Sequence, residues 1–211
     1  MPDLTPLEDT LGPEPEIVSS EVVFSGHVWD VRQETFRYGD GELTREFVDH
    51  TGAVAIFALD DEDRVLLIRQ YRFPVRMTEW EIPAGLLDIV GEDPLLAAKR
   101  ELAEEADLEA DVWHTLAEFA TSPGGNNEML RIYLARGVRA TAEAFDRHDE
   151  EADIETRWVP LDELREAVLA TRVQNPSLVI GTHAAYALRE RGWDGLLPED
   201  APWPRHPVNR R

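Results

Sequence analysis

Apolar and polar positions divide this chain into blocks of different period. Ala53–Leu59 and Val65–Tyr71 are short, dense apolar runs on either side of Asp60-Asp61-Glu62-Asp63. Runs of that length bounded by an acidic turn predict buried strands. Upstream, the stretch from Glu21 to Asp49 is β-rich. Val28 to Phe36 and Leu43 to Val48 flank Tyr38-Gly39-Asp40-Gly41, which predicts a hairpin. Further strands are expected near Val112–Ala120, Leu130–Ala135 and Thr156–Val159. Leu95, Ala98, Leu102 and Ala106 recur at helical spacing and predict a buried stripe. Two more helices are expected, at Leu161–Ala170 and from Pro176 to Arg191, with Asn175 as N-cap and Gly192 as stop. Mixed strands with helices before and after predict an α/β fold whose sheet is covered on both faces.

The ends differ from the middle. Residues 1–16 carry four prolines and several acids with little to bury, so disorder is expected there. Residues 17–50 form a β-rich extension, 51–195 the main domain, and 196–211 an irregular tail. The tail region from 193 is rich in proline and tryptophan, and Trp193 and Trp203 are candidates to pack on the core.

The helix after Gly85-Leu86-Leu87-Asp88 is awkward as a fold device. Asp93 is a good N-cap and Pro94 suits the first helical position. Arg100-Glu101-Leu102-Ala103-Glu104-Glu105 then places three carboxylates on one polar arc. Glu101 and Glu105 are a like-charge pair one turn apart, costing roughly 0.2–0.5 kcal/mol. All three lie toward the helix C-terminus, where the macrodipole disfavours anions. Arg100 offsets part of this through Glu104. Such violations of local rules tend to mark functional sites. A hard divalent cation resolves the conflict, because Mg²⁺ takes oxygen ligands and bridges carboxylates to substrate phosphates. A solvated acidic face is the other reading of the same residues.

The segment from Gly85 to Leu108 resembles the signature of the Nudix hydrolases. Gly85 opens it, Glu92 is its first acid, seven residues lead to Arg100-Glu101-Leu102, and Glu104-Glu105 close the acidic set. Two departures occur. Six residues rather than five separate Gly85 from Glu92, and Asp107 stands where the signature ends in glycine. Aspartate tolerates the left-handed conformation that a helix end often requires. Trp80-Glu81-Ile82-Pro83-Ala84-Gly85, Arg69-Gln70-Tyr71-Arg72 and Ser122-Pro123-Gly124-Gly125 resemble the ADP-ribose pyrophosphatase branch, as does the extra residue in the box. The resemblance runs from about Val22 to about Gly192.

That resemblance implies an α/β/α sandwich with a mixed sheet. It also implies a homodimer in which the N-terminal β-hairpin extension reaches across to the second subunit. The implied reaction is Mg²⁺-dependent hydrolysis of the pyrophosphate of ADP-ribose to AMP and ribose 5-phosphate, with Mn²⁺ as an alternative cation. The box cannot separate this from action on another nucleotide sugar or dinucleotide, such as a GDP-sugar. A nucleotide-binding sensor that has kept the fold without catalysis is a further alternative.

Glu101 and Glu105, one turn apart, are the first candidates for metal ligands, with Glu104 as a third ligand or an anchor. The Ala84 carbonyl resembles the backbone metal ligand of the branch. Glu92 and Arg100 are expected to tie loop to helix by an ion pair. The acidic loop His148-Asp149-Glu150-Glu151 resembles the loop that supplies a base or further ligand, with Glu151 aligning best and Glu150 next. Arg45 and Arg72 resemble arginines that contact phosphate or adenine, and Glu128 resembles a residue near the terminal ribose. Trp29 offers an aromatic face to adenine, or a core contact.

Composition narrows the partners. Lys+Arg 21 against Asp+Glu 43 gives a net charge of −22 over 211 residues. Such a surface repels nucleic acid and anionic membranes, so neither is expected as a partner. It also repels an anionic substrate, which makes a cation and local arginines necessary. The chain has no cysteine, which removes disulfides, thiolate metal sites and cysteine nucleophiles. No apolar run reaches membrane-spanning length and no signal-peptide pattern opens the chain, so a cytoplasmic location is the expectation.

Overall fold

A computed structural model describes residues 7–143, 145 and 154–206 of the chain. Its strands are β1 (Ile17–Ser25), β2 (Asp30–Tyr38), β3 (Gly41–Asp49), β4 (Ala53–Ala58), β5 (Arg64–Arg72), β6 (Met77–Glu81), β7 (Ala84–Leu86), β8 (Leu108–Ala120), β9 (Met129–Ala140), β10 (Glu155–Pro160) and β11 (Leu197–Pro198). The helices are α1 (Pro94–Ala106), α2 (Leu161–Leu169) and α3 (Pro176–Arg189).

The central sheet has the order β11-β8-β9-β4-β7. It is mixed, because β4 runs parallel to β9 and antiparallel to β7. Period-two alternation along β4 sends side chains to both faces. Ala53, Ala55 and Phe57 join Leu161, Leu164 and Leu178 of α2 and α3. Val54, Ile56 and Ala58 join Ala97, Ala98 and Leu102 of α1. Every residue of β4 is buried, as a strand between two helical layers requires. The result is the expected α/β/α arrangement. A second sheet, β10-β5-β6, carries the chain from the acidic turn to the box. Among the described residues no helix is long and apolar enough to cross a membrane.

Several boundaries differ from those read in the sequence. The N-terminal sheet has three strands in the order β1-β2-β3, not a lone hairpin, because Ile17–Ser25 pairs along β2. β8 and β9 continue to Leu108 and Ala140, beyond their apolar stretches, where pairing to each other replaces burial. α3 ends at Arg189, two residues early, and Gly192 and Trp193 turn away with positive φ. The tail is not wholly irregular: Leu197–Pro198 pairs with β8, and Trp203 is buried.

The two ends of α1 follow local rules. The Asp93 side chain accepts from the Leu95 and Leu96 amides at 2.9 and 3.4 Å. Asp107 takes the left-handed conformation at φ 54° that the signature's glycine would supply. Its carboxylate also accepts from the Phe145 amide at 2.7 Å.

Candidate active site

β7 and α1 build the centre of the site. β7 is an edge strand pinned to β4, and α1 packs across it. Glu105 is only 5% exposed, which is unusual for a carboxylate. Its Oε2 accepts a hydrogen bond from the Ala84 amide at 2.9 Å. Glu101 lies directly over Gly85, where an added Cβ would stand 2.0 Å from its Oε1. The glycine that opens the box is therefore the floor on which Glu101 rests.

Arg100 organises the acids around it. It grips Glu92 with two bonds of 3.1 and 3.0 Å, and so ties the box loop to the helix. The same guanidinium reaches Glu101 at 2.7 Å and Glu104 at 2.9 Å. These bonds, that to Glu92 first, hold Arg100 above its ordinary pKa, and the Glu92 carboxyl is held below its own by the same contact.

The donors are all oxygen and densely negative, which suits a hard divalent cation. Glu101 and Glu105, stacked one turn apart against β7, are the side chains that would hold it, with Glu104 beside them. Among the described residues these acids do not form a ready-made cage, since each meets a protein donor. At Ala84 the group seen meeting Glu105 is the amide.

A second assembly lies at the end of the N-terminal sheet. Trp29 stacks on His50 with ring centroids 5.0 Å apart. His50 Nδ1 accepts from the Gly52 amide at 3.0 Å, which leaves the proton of the neutral ring on Nε2. Nε2 faces Glu128 at 3.5 Å, and Glu128 also accepts from Thr121 at 2.6 Å. The His50 amide donates to Asn127, and Asn127 donates to Asp49, both at 2.7 Å. The structure thus joins Trp29 and Glu128, far apart in sequence, through His50. His50 and Asn127 were not singled out in the sequence; their partners lie 77 and 78 residues away.

Trp29 and His50 line a cavity of about 610 Å³ together with the box loop from Leu87 to Glu92. The two arginines expected to meet substrate are placed differently from one another. Arg72 makes two 2.7 Å bonds to Glu81, a carboxylate only 2% exposed. A buried charge needs such a partner, so Arg72 has a structural duty whatever else it binds. Arg45 is exposed on β3 and donates to the Thr44 carbonyl at 2.8 Å. Glu151, Glu150 and His148 lie outside the described residues.

The NUDIX domain family matches residues 49–178, which span more than half of the chain and include every element around α1. The chain belongs to the Nudix family. Within it, the chain is 39% identical over 194 residues to an ADP-ribose pyrophosphatase of Mycobacterium tuberculosis, covering 92% of this chain and 93% of that one. It is 34% identical over 168 residues to a methanol dehydrogenase activator of Bacillus methanolicus, covering 79% of this chain and 90% of the relative. A solved structure described as an ADP compounds hydrolase shares the fold at a TM-score of 0.68 and 21% identity, covering 88% of this chain and all of that one. Nudix hydrolases generally depend on a divalent metal, in keeping with the oxygen-rich face of α1.

Proposed function

We propose that this Nudix hydrolase cleaves the diphosphate of ADP-ribose, adding water across the P–O–P bridge to give AMP and ribose 5-phosphate. The observation that carries this reading is the pairing of two features. Glu101 and Glu105 stack on one face of α1 against β7, and an aromatic cavity opens beside the box loop. The similarity to the mycobacterial ADP-ribose pyrophosphatase over 92% of the chain supports the same substrate.

Glu101 and Glu105 hold the divalent cation, Mg²⁺ or in its place Mn²⁺, and Glu104 supports them. Bound there, a divalent cation would supply charge neutralisation at the bridging phosphates. The chain's own residues do the rest. Ala84 and Gly85 fix where the two carboxylates sit, and Glu151 supplies the base or a further ligand. Arg72 and Arg45 offset substrate charge on an otherwise acidic protein. Trp29 presents a ring face to the base, and Glu128 orients a ribose hydroxyl or nearby water. Purified protein given ADP-ribose and Mg²⁺ is expected to release AMP and ribose 5-phosphate in equal amounts, and to stop on chelation. Absence of turnover, or turnover that survives the chelator, overturns the reading.

We further propose that the working unit is a homodimer joined through the N-terminal sheet. Every residue of β1 is exposed, among them Ile17, Val18, Val22, Val23 and Phe24. A paired strand carrying that many open apolar groups fits a surface covered by a second copy. Light scattering is expected to give twice the 23.9 kDa chain mass, and Val22→Glu with Phe24→Glu is expected to lower it. A single-chain mass for the unaltered protein rejects the dimer.

A further inference from the structure

The C-terminal tail is built into the cavity wall. After β11 pairs with His114 and Thr115 of β8, the chain buries Ala201, Trp203 and His206 to 8%, 6% and 3% exposure. The anchor is Arg131 of β9, itself 3% exposed and paired with Glu118 at 2.5 Å. Its guanidinium donates to the Ala201 carbonyl at 2.9 Å and lies 4.7 Å from the Trp203 ring centre. Trp203 and His206 pack ring against ring at 4.5 Å. Gly52 completes the seat. At φ +90° it lacks the Cβ that would stand 2.2 Å from His206 Nε2. An arginine anchor and a side-chain-free notch in the loop between β3 and β4 are more than a loose terminus needs.

The chemistry of the cavity says what it takes. Trp203, His206, Trp29 and His50 all line it. Asp30, Asp49, Asp88 and Glu92 also line it, and among the described lining residues there is no lysine or arginine. Glu92 and Asp49 are paired with Arg100 and Arg32, so Asp30 and Asp88 carry the repulsion of a diphosphate and suit an uncharged group rich in N–H and O–H donors. Several flat rings in one cavity suit a flat heterocycle. On the reading that the chain hydrolyses a nucleoside diphosphate derivative, on which this inference rests, the cavity holds the nucleoside half.

We propose that Trp203 and His206 are specificity-determining residues, with the tail forming the wall against which the nucleobase packs. The tail thereby decides which base fits, and the α1 acids decide what is cleaved.

The test compares Trp203→Leu and His206→Gln with the unaltered protein. It measures kcat and KM on ADP-ribose, on GDP-ribose and on CDP-ribose, and affinities for AMP and for ribose 5-phosphate. Trp203→Leu is expected to raise KM for ADP-ribose and weaken AMP binding, each by about 10-fold. The change in kcat is expected to be smaller, the preference among bases narrowed, and the ribose 5-phosphate affinity kept. His206→Gln keeps a polar group of similar reach and serves should Trp203→Leu fail to fold; it is expected to narrow the base preference too. Loss of kcat in equal measure on all three substrates, or unchanged AMP affinity in both variants, overturns the proposal. An unaltered protein that leaves ADP-ribose intact but loses nucleotide affinity in these variants would keep the wall and reject the activity. ADP-ribose turnover with AMP affinity indifferent to the tail would do the reverse.

Discussion

Glu105→Gln is expected to lower kcat on ADP-ribose by about 10³-fold, or about 4 kcal/mol of barrier, while leaving the fold nearly as stable. The dissociation follows from what Glu105 touches. Its carboxylate is 5% exposed and accepts the Ala84 amide at 2.9 Å. Glutamine fills the same volume and its amide oxygen can accept that same bond, so the buried N–H keeps a partner. What disappears is the negative charge, the property a hard cation requires of its ligand. Glu105→Ala separates the two duties. It loses the charge and also strands the Ala84 amide, at a cost of about 1–3 kcal/mol, so its melting temperature is expected to fall where that of the glutamine variant holds. Steady-state assays and thermal melts on both variants check this. Activity within a few-fold of normal in Glu105→Gln would remove Glu105 from the metal site.

How far the sequence revealed this molecule can be judged on α1. Its start, its proline, and its left-handed end at Asp107 are local chemistry, and they stand where local rules put them. Its buried face is not quite the one that apolar spacing marks. Leu95 and Ala106 are only partly buried, whereas Ala97 and Glu105 are buried. Pattern reading sends a glutamate to solvent. Here the Ala84 amide on β7, 21 residues away, donates to it and holds it inward. Long-range partners were illegible for the same reason. Arg131 interrupts an apolar run in β9 and reads as an anomaly until Glu118 and the tail carbonyl at Ala201 are seen beside it. His50 is one polar residue at a strand end until Trp29, Gly52 and Glu128 close around it. Arg72 was read as a substrate contact from its motif, and the motif could not show the buried Glu81 that it neutralises. Motifs record which residues are needed; the partner that explains the need arrives only with the fold.

Gly85→Ala is expected to cost about 100-fold in kcat for the addition of one methyl group, with stability changed by no more than about 1 kcal/mol. The new Cβ would lie 2.0, 2.1 and 2.3 Å from Oε1, Cδ and Cγ of Glu101, which is no room at all. Something must move, and the movable object is the glutamate side chain rather than the paired backbone of β4 and β7. The folded state therefore adjusts at little expense. Glu101 retains its bond to Arg100 but leaves the face it shares with Glu105. A displacement of about 1 Å in a catalytic group is enough to cost two orders of magnitude. Gly41→Ala is the control, since its methyl meets nothing nearer than the Tyr38 carbonyl at 3.9 Å. The decisive measurement is the double variant. If Gly85 acts through Glu101, then adding Gly85→Ala to Glu101→Gln lowers kcat little beyond Glu101→Gln alone, because both changes remove the same ligand. Losses that multiply would show that the glycine serves the reaction by another route, such as close passage of the substrate over β7.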